Sequence, residues 1–211
     1  MSATRPSRPY RMRKRAEQVR ETRRRITEAT VRLHTTVGPA NTSVSAIANE
    51  AGVSRMTVYR HFADEEALYA ACMSHADPED HPPDGTSWRE IAGLDERARY
   101  ALSELYAYYG ETAEETYPVY RDFDAMPPGA QQSMREYDAA LAEALIAGCG
   151  LRGRRRERLR AVAGHLVDFG TWRSLVVEQG LGHGEAVDLA ASFLTLTAGD
   201  TRPARGRHHS R

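Results

Sequence analysis

The sequence predicts an all-α protein with an N-terminal three-helix helix-turn-helix domain and a larger helical C-terminal domain. Three observations predict it. Apolar residues recur three or four positions apart along most of the chain, the period of one helix face. The periodic stretches are bounded by Ser, Asp, Gly and Pro, which cap and stop helices. No stretch alternates apolar and polar residues with the period of a strand, and no internal repeat is present.

Residues 1–15 are rich in Arg, Pro and Ser, and we expect a flexible basic arm there. The helix-turn-helix domain is assigned to 16–76. Its first helix starts near Ala16 and carries Ile26, Ala29, Thr30, Leu33 and Val37 on one stripe. Gly38-Pro39 stops it. In TSVSAIANEAGVS (42–54), Ser43 is the expected N-cap of a two-turn helix with Val44, Ile47, Ala48 and Ala51 inside. Gly52 supplies the turn. Ser54 caps the next short helix, Arg55 to about Phe62, which Val58 and Phe62 turn inward. Two short helices joined by a glycine turn and packed on a longer one make a helix-turn-helix. Asp64 caps a further helix, with Glu65 and Glu66 in its first turn and Leu68, Ala71, Cys72 and His75 on its inner face.

The acidic, proline-rich stretch 77–86 reads as a loop, and 87–198 as the C-terminal domain. Ile91, Leu94, Ala98, Leu102, Leu105 and Tyr109 predict a helix that Gly110 ends, with a short helix over 112–122. Met134, Tyr137, Leu141 and Leu145 mark another after MPPGA (126–130). One long helix is expected from Arg154 to Gln179 and a last one from Glu185 to Thr197. The basic stretch 199–211 is expected to be disordered.

The chain has 211 residues, 41% hydrophobic and 27% charged, ordinary for a soluble protein. No apolar run approaches the ~20 residues of a membrane span, and no secretory signal is visible, so a cytoplasmic location is expected. Cys72 and Cys149 are read as free thiols. The net charge of zero conceals a split. Residues 1–63 carry thirteen basic and four acidic side chains, a surplus of +9, which leaves −9 on the rest. A polyanion-binding N-terminal part and a polyanion-repelling body follow. Only Lys14 among the 29 basic residues is a lysine. Arginine suits bidentate contacts to phosphate and guanine, although codon bias produces the same composition.

The stretch from Ile26 to Leu68 resembles the DNA-binding domain of the TetR family of transcriptional regulators. The residues that carry the resemblance are Ile-Thr-Glu-Ala in the first helix, TSVSAIANEAGVS, TVYRHF and EEAL. The resemblance implies an all-α homodimer, a palindromic double-stranded DNA operator, and a C-terminal ligand pocket coupled to DNA affinity. It also implies a lysine opening the fourth helix, where this chain has Glu65. A carboxylate there repels the DNA backbone.

In GVSRMTVYRHF (52–62), Arg55 is the expected base reader, bidentate to a guanine, and Met56 and Thr57 suit a thymine methyl. Tyr59, Arg60 and His61 are placed on the backbone. Thr42, Ser43 and Ser54 lie at helix N-termini, where hydroxyls and N–H groups meet phosphates. Plainer roles stand beside these: packing for Tyr59, a structural hydrogen bond for His61, simple capping for the serines, and solvation for the arm.

In the body, Tyr106, Tyr109, Tyr120, Phe123, Tyr137, His165, Asp168 and Trp172 are candidate ligand contacts, because tyrosine offers both a ring and a polar handle. The alternative is a plain core with tyrosine tips in water. His165 and Asp168 could pair across one helical turn, but no nucleophile or oxyanion pattern accompanies them, so no catalysis is expected. His75, Asp77 and His81 lack metal spacing, and no metal or cofactor is expected. The resemblance implies a two-fold seam between the last two helices of two copies, and places Val187, Ala190, Ala191 and Leu194 there with the small residues Ala163 and Gly170. The function expected from all this is a repressor released from its operator by an unidentified small molecule. The alternative is an effector-independent DNA-binding protein whose C-terminal domain only dimerises.

Overall fold

The computed structural model describes residues 8–75 and 81–199, and these are helical with no strand. The helices are α1 (Arg8–Thr36), α2 (Val44–Glu50), α3 (Arg55–His61), α4 (Glu65–Met73), α5 (Leu94–Arg121), α6 (Pro128–Leu145), α7 (Gly153–Val167), α8 (Phe169–Arg173) and α9 (His183–Gly199). A π-helical turn, Ser174–Glu178, follows α8. None of the described helices is long and apolar enough to cross a membrane.

Three expectations are corrected. Helix α1 begins at Arg8, so residues 8–15, expected in a flexible arm, are helical. Residues 1–7 of that arm, and the tail beyond Gly199, lie outside the described residues. Gly110 does not stop a helix, since α5 runs from Leu94 to Arg121 with Pro118 near its end. A single glycine costs a helix about 1 kcal/mol, less than the burial of Leu105, Tyr106 and Tyr109 beside it contributes. The long helix 154–179 is broken at Asp168, which takes an extended conformation (φ −68°, ψ 133°). Its Oδ1 accepts from Thr171 N at 3.2 Å and caps α8. Gly170 leaves room for this, because a Cβ there would press on the Asp168 carboxylate.

The chain divides into two compact units. The first takes in the described part of Met1–His81 together with Ala113–Met134, so a segment assigned by sequence to the C-terminal domain groups with the helix-turn-helix. Its core is Ile26, Ile47, Ala48, Val58, Phe62 and Leu68. A second cluster gathers Met126, Ala130 and Met134 against Tyr69, Tyr120 and Phe123.

The first unit also buries His34, 7% exposed, with its ring 4.6 Å from that of Tyr69. Burial pushes its pKa down from 6.5 to about 4. The neutral form is therefore the stable folded form. Its contribution is full above pH 6.5 and is lost as pH falls toward 4, worth roughly 3 kcal/mol at the limit. We expect the urea midpoint of this unit to drop between pH 7 and 4.5, and His34→Phe to remove most of that drop. An equal drop in the variant would contradict this assignment.

The second unit takes in Pro82–Thr112 and the described part of Arg135–Arg211. Its core includes Trp88, Leu102, Leu105, Leu141, Leu159 and Leu194, all unexposed. Arg97, 2% exposed, lies within it. Nε donates to Trp88 O (3.1 Å) and Ile91 O (3.0 Å), Nη2 to Ala92 O (3.3 Å), and Nη1 to Leu145 O (3.5 Å) and to Ala147 O. The last two are carbonyls at the C-terminal end of α6, which would otherwise lack donors.

Candidate functional site

Helices α2 and α3 are held from one side by α1. Arg25 donates to Ala51 O and, at 3.5 Å, to Gly52 O, fixing the turn between them. Gly52 has φ 64°, the left-handed conformation that this turn requires. Arg23 donates to His61 O at 2.6 Å, and its guanidinium lies 4.0 Å over the Phe62 ring. A cation at the C-terminal end of α3 suits the helix dipole. Sequence periodicity assigned no role to Arg23 or Arg25, because each acts on a distant main-chain carbonyl.

The serine caps form as the spacing predicts. Ser43 Oγ accepts from Ala46 N at 3.1 Å, and Ser54 Oγ from Thr57 N at 3.1 Å. The Thr57 hydroxyl is occupied by Ser54 at 3.0 Å, and that of Thr42 donates to Gly38 O at 2.9 Å. Thr42 and Thr57 are thus committed to local structure and half-buried. Val58 turns into the core, and Arg55, Met56, Tyr59 and Arg60 point outward. Met56 is 75% exposed and Tyr59 48%. Arg55, Tyr59 and Arg60 have no hydrogen-bond or ion-pair partner among the described residues, so their donors remain for an external ligand. His61 is half-buried. Its pKa is lowered by burial and by the Arg60 and Arg23 charges, which favours a neutral ring.

An open groove of about 640 Å³ runs along α1 and α4, lined by Arg20, Arg23, Arg24, Ser74 and His75 among others. Arg24 is paired with Glu21 (2.7 Å) and Glu28 (2.5 Å), whereas Arg20 has no such partner among the described residues. Glu65 and Glu66 stand exposed in the first turn of α4, which Asp64 caps through Ala67 N at 2.8 Å.

The eight candidate ligand contacts do not all fall in one unit. Tyr120 and Phe123 pack in the second cluster of the first unit. In the second unit, Tyr106 and Tyr109 are 1% and 2% exposed. Their hydroxyls donate to Leu166 O (3.0 Å) and Val167 O (2.8 Å), carbonyls freed by the break at Asp168. Tyr109 also packs with Phe169 (5.3 Å) and Trp172 (5.9 Å). Tyr137 donates to Pro83 O at 2.8 Å. His165 and Asp168 meet at Thr171 rather than facing one another across a helical turn, since the helix is interrupted between them. The His165 ring lies 3.3 Å from Thr171 Oγ1. Sequence reasoning missed Asp138, whose Oδ1 is buried with no partner among the described residues. Burial, and then the nearby charge of Asp168, pushes its pKa up to about 6. No cluster of metal-ligating side chains occurs among the described residues. Cys72 and Cys149 are free thiols, and burial pushes that of Cys72 up to about 12.

Helix α9 is apolar on two faces. Val187, Ala190, Ala191 and Leu194 are 6%, 1%, 0% and 0% exposed within the single chain. They face its own core, and the expectation of a partner seam through them is corrected. The outward face carries Leu189, Phe193 and Leu196, at 53%, 48% and 73% exposure.

Residues 26–72 match the family model described as bacterial regulatory proteins, tetR family. No curated protein matches the chain.

Proposed function

We propose that the chain, whose residues 26–72 match the tetR family model, is a DNA-binding transcriptional regulator that acts as a homodimeric, ligand-responsive repressor on a palindromic operator in the cytoplasm. The observation that carries the DNA contact is the outward face of α3, where Arg55, Tyr59 and Arg60 are exposed and have no partner among the described residues. Arg55 reads a guanine, Met56 a thymine methyl, and Tyr59, Arg60 and His61 hold the backbone with Ser43 and Ser54. Two such helices spaced by about 34–36 Å engage successive major grooves. The partner is a second copy, held through Leu189, Phe193 and Leu196. The effector, a small molecule, meets the second unit near Tyr137, His165, Asp168 and Trp172, and releases the operator by binding the DNA-incompetent state more tightly. The basic N-terminal residues add phosphate contacts.

A second reading keeps DNA binding and dimerisation without an effector. Its support is that the hydroxyls of Tyr106 and Tyr109 are both consumed by main-chain carbonyls.

The test is selection of bound DNA from a random duplex library. The expected motif is a palindrome, and a motif without two-fold symmetry overturns the dimer model. On the selected duplex, Arg55→Ala is expected to lose on the order of 10- to 100-fold in affinity and to relax preference at one base pair per half-site. Unchanged preference there removes Arg55 as a base reader. Release of that duplex by a small molecule separates the two readings.

A further inference from the structure

Arg121 ends α5, Asp122 follows it, and both lie against the turn between α1 and α2. Their side chains pair in a fork: Arg121 Nε to Asp122 Oδ1 at 2.7 Å and Nη2 to Oδ2 at 2.9 Å. The pair then reaches the main chain. Arg121 Nη2 donates to Val37 O at 2.9 Å, and Asp122 Oδ2 accepts from Ala40 N at 3.0 Å. Charges and dipoles agree. The cation meets a carbonyl just past the C-terminal end of α1, and the anion meets an N–H in the 3-10 turn Pro39–Asn41. The Asp122 side chain is 8% exposed. Gly38, between the two contacts, has φ 91° and no room for a Cβ, which would run into Asp122 Oδ2 and Arg121 Nη2.

This turn leads directly to the DNA-facing edge. Asn41 Nδ2 donates to Val37 O at 3.0 Å, Thr42 Oγ1 to Gly38 O at 2.9 Å, and Ser43 follows as the N-cap of α2. Val37 O therefore takes donors from both Asn41 and Arg121. Without the Arg121–Asp122 pair, the Ala40 N–H and one acceptor site of Val37 O would fall to water, and the turn would rest on its own short-range bonds.

We propose that Arg121 and Asp122 are positioning residues for DNA recognition: a two-residue latch that fixes the Val37–Ser43 turn and thereby the N-terminal edge of α2 against the operator backbone. The latch rests on the DNA-binding reading for its effect on affinity, though not for its effect on the turn.

The test compares the full chain with Arg121→Ala and Asp122→Ala, using amide hydrogen exchange and affinity for the duplex that the unaltered chain selects. Faster exchange is expected at Ala40 and in the first turn of α2. Operator affinity is expected to fall on the order of tenfold, with little change for a scrambled duplex and an unchanged folded fraction. Arg121→Gln keeps one donor for Val37 and should recover part of the loss, which general destabilisation does not explain. Unchanged exchange at Ala40 overturns the latch. So does faster exchange with unchanged operator affinity, or an equal loss on both duplexes. If the unaltered chain selects no DNA, the DNA-binding reading fails, and the exchange comparison still decides whether the pair holds the turn.

Discussion

Arg97→Ala will destabilise the second unit by about 3–5 kcal/mol, the largest loss expected from any single substitution here. The guanidinium is 2% exposed, and its partners are the carbonyls of Trp88, Ile91, Ala92, Leu145 and Ala147. Truncation leaves buried acceptors without donors, each costing about 1–3 kcal/mol where water does not enter, and opens a void beside Trp88. Lysine keeps the charge but offers a point rather than a fork, so Arg97→Lys should fall between alanine and the unaltered chain. Urea unfolding followed by helical circular dichroism reads the effect as a lower midpoint. A midpoint within error of the unaltered chain would falsify the view that this arginine ties the end of α6 to the 88–92 segment.

On the proposed dimer, the double substitution Phe193→Glu with Leu196→Glu is expected to leave a monomer and to lower operator affinity by at least about 100-fold. The two side chains are 48% and 73% exposed and lie on the outward face of α9 with Leu189. In a lone chain such positions tolerate a carboxylate, with effects of about 0.5 kcal/mol or less on folding. Across a two-fold interface the same change sets carboxylates against one another and against desolvated leucine. Val187→Glu, on the inward face, is the contrasting control and should unfold the helix instead. Sedimentation equilibrium distinguishes the cases. A double variant that stays dimeric places the interface elsewhere.

The helix-turn-helix was legible because its determinants are local. Ser43, Ser54 and Asp64 each cap through the N–H three residues on, at Ala46, Thr57 and Ala67. Ile26, Ile47, Val58 and Leu68 bury as their spacing requires. The body was less legible, for reasons that can be named. The apolar period runs unbroken from Leu166 through Phe169, so nothing in it marks the break, and Asp168 acts as a cap only because Gly170 leaves space above it. Helix α9 is apolar around most of its girth, and periodicity cannot say which side meets its own core. Arg97, Arg121 and Asp122 bind carbonyls and amides far away in sequence, contacts that leave no spacing signature. Among the aromatic residues, chemistry suggested a cavity, while the hydroxyls of Tyr106 and Tyr109 went to the end of α7.

Asp138 gives the protein a divided response to acid. Its carboxyl is pushed up to about 6 from 3.8, so the protonated form is favoured on folding, and this contribution is lost as pH rises through 6. His34 works in the opposite sense, losing its contribution as pH falls from 6.5 toward 4. At neutral pH the ionised Asp138 carboxylate keeps a buried Oδ1 in the second unit, while the neutral His34 ring of the first is in its favoured form. Between pH 4 and 6.5 the two groups thus pull in opposite directions, one in each unit.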